Sequence, residues 1–357
     1  MPDEPSDSVS EVRTDLAIEA RDVAVRRKGP PEIPGVRVDN DRTPHATIVR
    51  MTIESDAAAQ AMGKVKGTYV TIEAPALRER NQQVLEDLTQ TLAAEISAFC
   101  QRLGVPPQGG VLIVGLGNWN ATPDALGPRV VQEVLVTRHL HAMTPPEVRG
   151  GMRPVSALSP GVLGLTGIET GEIVQGVVEK TQPACVVCID ALAARSVERL
   201  ATTIQIADTG IHPGSGVGNR RLGITPATLG RPVLVIGVPT VVHATTIVLD
   251  ALDALAGQFR PFPPPAPVAP FPAAPGDGQR WIDAQRARQD PLGLPRDPAQ
   301  KQALIEHLLR PYMGELIVTP KEIDVLIADV AKVISGALNA ALHPSIDLDN
   351  VLAYLRR

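Results

Sequence analysis

The chain of 357 residues is 44% hydrophobic and 20% charged, the composition of a soluble globular protein with material for one large domain or two modest ones. Its formal net charge of -5 argues against nucleic acid as a direct partner, because phosphate binding draws on a surplus of Lys and Arg. The acidic opening MPDEPSDSVSEVRTD has neither the basic nor the apolar part of a secretory signal, and no unbroken run of about 18 apolar residues predicts a membrane span.

In chain order, TIVRMTI (47–53) and TYVTIEA (68–74) have the alternation and β-branching of strands, and VLEDLTQTLAAEISAFCQRLG (84–104) has helical spacing closed by a glycine. The apolar runs VLIVG (111–115), ACVVCID (184–190), TIQIAD (203–208) and VLVIGV (233–238) follow, with helical stretches between several of them. This order predicts an α/β fold, a twisted and mostly parallel sheet with helices on both faces. PFPPPAPVAPFPAAP (261–275) is too rich in proline for a helix or central strand and reads as a linker or surface insertion. KQALIEHLLRPYMG and TPKEIDVLIADVAKVISGALNAALH (319–343) read as C-terminal helices, the second opening on Thr319, Pro320 and Glu322 in an N-cap arrangement. Cys100, Cys185 and Cys188 are an odd count, which favours a reducing compartment over a disulfide framework. Cys185 and Cys188 fall inside a strand, three residues apart, and are expected to be core residues on opposite faces.

Functional loops of open α/β sheets lie at the carboxyl ends of strands, and three such ends carry unusual residues. GLGNWNATPDALGP (115–128) begins like a dinucleotide fingerprint, but Asn120 takes the third glycine position, and Trp119 and Pro123 obstruct a pyrophosphate. Asp124 stands where a helix begins, with Thr122 as a candidate cap. Asp190 ends ACVVCID ahead of ALAARSVERL and is either a helix N-cap or a functional acid. ADTGIHPGSGVGNRR (207–221) combines four glycines with His212 and lacks the GK[ST] ending of a phosphate loop. Two strand-end carboxylates brought together share one proton, which suits them to activate water against a peptide carbonyl, or alternatively to hold a metal.

Taken with ALSPGVLGLTGIETGEIV (157–174), IDALAARS (189–196), TIQIADTGIHPGSGVGNRR (203–221), IGVPTVV (236–242) and VTPKEID (318–324), the chain resembles the spore germination proteases over nearly its whole length. The resemblance implies an endopeptidase that begins the degradation of small acid-soluble DNA-protecting spore proteins, cutting after an acidic residue. It also implies an α/β fold similar to that of the hydrogenase maturation endopeptidases, and an atypical aspartic mechanism with Asp124 and Asp190 as the catalytic pair and no cofactor. Which of the two is acid and which is base stays open. Self-cleavage within VRTDLAIEA (12–20) is implied between Asp15 and Leu16, so residues 1–15 are expected to be a propeptide. The further layout expected is a core over 16–258, a Pro-rich insertion over 259–300 and a helical segment over 301–357. Gly210, His212, Gly214 and Gly216 are expected to line the substrate cleft. A homotetramer in the cytoplasm of the spore core, with no membrane partner, completes the expectation. His243 stands where the family usually carries aspartate, which bears on the pH of activation. Two other classes remain: a metal-recognising maturation protease, and a non-enzymatic binding module in which both aspartates only cap helices.

Overall fold

The computed structural model describes residues 14–28, 32–143, 145, 152–213, 222–258, 298–313 and 316–343. The proline-rich stretch 261–275 and the candidate glycines Gly214 and Gly216 lie outside the described residues.

Contacts divide the chain into two units, the larger spanning 13–242 and 319–357. It begins with α1 (Ala17–Lys28), β1 (Val36–Arg42), β2 (Thr47–Ile53), α2 (Asp56–Met62), β3 (Gly67–Glu73) and α3 (Gln82–Arg102). The parallel part follows as β4 (Val111–Gly115), α4 (Leu126–Glu133), α5 (Arg138–Met143), β5 (Val155–Leu158), α6 (Leu163–Thr166), α7 (Thr170–Thr181) and β6 (Cys185–Ala194). Then come β7 (Thr203–Ala207), α8 (Pro226–Leu229) and β8 (Val233–His243).

The sheet order is β1-β2-β3-β7-β8-β6-β4-β5. The apolar runs VLVIGV, ACVVCID and VLIVG form the parallel neighbours β8, β6 and β4, and β5, which those runs did not include, adds parallel to β4. β7 adds antiparallel to β8, and the β3-β2-β1 meander continues the sheet from there. The alternating pattern of TIVRMTI, half-buried along one face, suits this antiparallel flank, whereas VLIVG is buried throughout.

Helices cover both faces. On one, Leu88, Leu92 and Ile96 of α3 join Ile113, Val187 and Ile236 of the sheet. On the other, Val174 and Val178 of α7 pack on Leu112, Val186 and Val235, and α1 and α2 cover Met51, Ile53 and Tyr69 of the meander. Cys185 belongs to the first face and Cys188 to the second, both buried and unpaired, as their spacing predicts.

The smaller unit includes 243–318, where α9 (Ala244–Gln258) packs against α10 (Pro298–Met313). The chain then enters α11 (Ile323–Leu342). Thr319 does not cap α11: its hydroxyl donates to the Thr240 carbonyl at 2.8 Å, and Glu322 precedes the helix without a side-chain cap. At 20 residues and mean hydropathy 1.7, α11 is long and apolar enough to cross a membrane by composition. Its apolar residues Ile327, Val330, Ile334 and Leu338 are instead buried in the core with α3 and α4.

Candidate active site

The glycines of GLG serve the backbone. A Cβ on Gly115 would lie 2.2 Å from the Gly127 carbonyl oxygen, and one on Gly127 would lie 2.3 Å from that of Leu116. The first turn of α4 therefore sits directly on the end of β4. Gly117 has φ +111, and a Cβ there would fall 2.1 Å from the Asp124 carbonyl oxygen. These contacts let the loop return Asp124 to the strand end, where its Oδ2 accepts from the Asn118 N–H at 2.8 Å.

Asp190 has a different setting from the helix cap that ALAARSVERL suggests. β6 continues past it to Ala194, paired with β8 through a register shift at Leu192 and Ala193. The helical turn directly after β6 is a 3-10 turn over Val197–Arg199, capped by Ser196. Asp190 Oδ1 accepts from the Ala191 N–H at 3.0 Å, so neither candidate acid accepts from the first turn of a helix. Burial, then the charges of Asp124 and Asp15, hold the Asp190 carboxyl well above the usual carboxylate range. Burial also raises Asp124, opposed by the Asn118 N–H. The Asp124 charge is thus one of the causes that raise Asp190, and the proton is held more firmly on Asp190 than on Asp124.

The third part of the site is the chain's own segment 14–19. The Asp15 N–H donates to the Ala193 carbonyl at 3.1 Å, and Asp15 Oδ2 accepts from the Ala193 N–H at 2.8 Å, extending the β6 edge by one residue. Leu16 is fully buried. The Thr14 hydroxyl accepts from the Leu16 N–H at 3.1 Å and donates to Glu19. Glu19, only 5% exposed, accepts from the Arg195 and Ser196 N–H groups at 2.8 and 3.0 Å and pairs with Arg199 at 3.3 Å. Lys64 Nζ donates to the Thr14 and Asp15 carbonyls at 2.9 and 3.0 Å. Burial lowers the Lys64 pKa, opposed by the charges of Asp15 and Glu19.

Gln205 completes the grip. It shares a cross-strand row with Gly237 of β8, and Gly237 is in turn paired with Asp190. Gln205 and Asp190 thus lie on one face, about two strand spacings or ~10 Å apart along the sheet, with a residue lacking a side chain between them. Its Oε1 accepts from the Ala17 N–H at 2.6 Å and its Nε2 donates to the Asp15 carbonyl at 3.3 Å.

Of the candidate cleft residues, Gly210 (φ +79) packs its backbone against Ile224, and exposed His212 lies over Gly223. Neither takes part in the hydrogen bonds that hold segment 14–19. Sequence reasoning passed over Lys64, Gln205, Glu19 and Arg199. A glutamine inside TIQIA, a strand buried on both faces, was the one visible signal among them, because such a polar group requires a partner.

A pH prediction follows from the raised carboxyl of Asp190. Above the ordinary aspartate pKa the unfolded chain releases this proton while the folded chain keeps it, so stability falls as the pH rises toward the raised folded value, and the full cost persists above it. Below the ordinary pKa both states are protonated and the effect vanishes. The melting temperature of Asp190→Asn minus that of the wild type is expected to be near zero at about pH 3.5 and to grow to a few degrees by neutral pH. Scanning calorimetry across that range checks it, and a difference independent of pH contradicts it.

Sequence comparison gives the class first: the chain is a peptidase. A sequence model described as germination protease matches residues 17–262 and 281–355. Germination proteases of Bacillus mycoides (strain KBAB4) and Bacillus cereus (strain AH187) are each 45% identical over 98% of this chain and 99% of theirs, and that of Bacillus thuringiensis subsp. konkukian (strain 97-27) is 44% identical over the same shares. The chain belongs to the germination protease family and is an endopeptidase.

Proposed function

We propose that this endopeptidase first cuts its own Asp15–Leu16 bond and then opens small acid-soluble spore proteins after acidic residues, with Asp124 and Asp190 as the catalytic pair, in the spore core. The observation that supports the reading is segment 14–19 bound along the end of β6, with Asp15 paired to Ala193 and its charge acting on Asp190, Leu16 buried, and Glu19 anchored on the Arg195 and Ser196 N–H groups.

In the mechanism this reading supports, Asp190 holds the shared proton because its carboxyl is raised well above the usual range. Asp124, whose anion the Asn118 N–H stabilises, serves as base. Asp124 takes a proton from water as the water oxygen bonds to the Asp15 carbonyl carbon. Asp190 gives its proton to the Leu16 nitrogen as the C–N bond breaks, so the pair ends with one proton, as it began. The same pair then acts on spore proteins presented in trans.

The Glu19 contacts give a test. Glu19→Ala removes an acceptor held by two backbone N–H groups and Arg199, and charged hydrogen bonds of this kind contribute about 1.5–3 kcal/mol each. Self-cleavage is expected to slow by roughly tenfold to hundredfold, measured by intact mass over time. A spore-protein peptide with alanine at the matching position, cleaved in trans, is expected to show the same loss. An unchanged rate in both assays removes the anchored glutamate from the account. Chelator and added nickel are expected to leave the wild-type rate unchanged, and a response to either favours the metal-recognising reading.

A further inference from the structure

The aspartate pair accounts for protons but not for the negative charge that develops on the Asp15 carbonyl oxygen as water adds. We propose that Lys64 and Gln205 form the oxyanion-stabilising site of this peptidase, Lys64 supplying the principal charge and Gln205 bridging the bond to be cut. The inference rests on the self-cleavage reading above.

Two donors converge on one oxygen. Lys64 Nζ stands 3.0 Å from the Asp15 carbonyl oxygen and Gln205 Nε2 stands 3.3 Å from it. Donors placed before reaction against the atom that becomes charged are the general requirement for stabilising a tetrahedral intermediate. Gln205 also accepts from the Ala17 N–H at 2.6 Å, so a single side-chain amide holds the chain on both sides of the Asp15–Leu16 bond. That pairing fixes the orientation of the amide, since the opposite one sets N–H against N–H and oxygen against oxygen.

Both side chains are fixed before any chemistry. Gln205 is 7% exposed in the middle of β7, paired with Thr71 and Gly237. Lys64 follows the end of α2, where Gly63 adopts φ 61 and the Lys64 N–H donates back to the Ala59 carbonyl at 3.1 Å. This helix-closing turn sets the direction in which the lysine leaves. Mooring of the N-terminal segment does not require the Asp15 carbonyl, because Lys64 already holds that of Thr14 and Glu19 is held independently.

The test compares self-cleavage of full-length wild type, Lys64→Met and Gln205→Glu by intact mass, with hydrogen exchange at the Arg195 and Ser196 amides reporting whether Glu19 remains docked. Lys64→Met keeps the methylene stem and Gln205→Glu is isosteric, so that either variant serves if the other fails to fold. Each is expected to cut at Asp15–Leu16 about 10²-fold or more slowly than wild type, with both amides still protected. A rate within a few fold of wild type overturns the proposal. So does a slow rate accompanied by loss of protection, which assigns Lys64 and Gln205 to mooring alone. A wild type that never cuts at this bond overturns the self-cleavage reading itself, and that arm separates the two failures.

Discussion

Asp190→Asn is expected to slow self-cleavage and cleavage of a spore-protein peptide at least about 10³-fold, and Asp124→Asn to do the same, because each removes one half of a proton relay. Asparagine is nearly isosteric and caps helices as well as aspartate does, so a purely structural role predicts little change. Asp190 lies inside β6 and caps nothing, and relieving its buried, like-charged setting is expected to make the inactive variant the more heat-stable protein at neutral pH. Loss of activity together with gain of stability identifies a group kept for chemistry against its own folding cost. Peptide cleavage kinetics and calorimetry on the same preparations read both. Activity within tenfold of wild type in either variant sinks the assignment.

The second large effect is expected from Gly127→Ala. The added methyl would lie 2.3 Å from the Leu116 carbonyl oxygen and 2.5 Å from its nitrogen, both backbone atoms that cannot turn aside. Either α4 lifts from β4 or the strand end distorts, and overpacking against backbone of this kind costs at least about 3 kcal/mol. In a unit of this size that lowers the melting temperature by roughly 6–12 °C. The Asp124 loop rides on the same contact through Gly117, so the folded fraction is expected to lose activity while β6 stays intact. Ser and Val at this position should be no better than Ala, since the Cβ itself is the obstacle. A variant of wild-type stability would show that the close approach of α4 to β4 is not required.

Much of the parallel sheet was legible because its strands are short apolar runs that a helix would bury on one side only. VLIVG matches β4 to the residue, and in the antiparallel flank TIVRMTI matches β2 equally well. The continuation of β6 was not legible, because ALAARS is composed of good helix formers, and what draws it into a strand is β8 on one side and Asp15 on the other. Thr319 misled for a similar reason: its spacing suits a cap, but a backbone carbonyl of β8 takes its hydroxyl first. At the site, the two aspartates could be found because one closes the apolar run ACVVCID and the other stands in the loop after VLIVG. Gln205 showed only as a polar group in a buried strand that needs a partner, and Lys64 not at all, since the segment they hold lies 190 and 49 residues away in sequence.

The glycine-rich opening of GLGNWN shows how one local pattern serves different ends. In a dinucleotide site such glycines let backbone approach a pyrophosphate. Here they let backbone approach backbone, and the group brought to the strand end is the Asp124 carboxylate.

The most direct test of the central claim is intact mass and N-terminal sequencing of the purified full-length chain over time at mildly acidic and neutral pH. A single new species beginning at Leu16 is expected from wild type, and none from Asp124→Asn or Asp190→Asn. A chain that stays whole at both pH values and leaves a small acid-soluble spore protein uncut contradicts it.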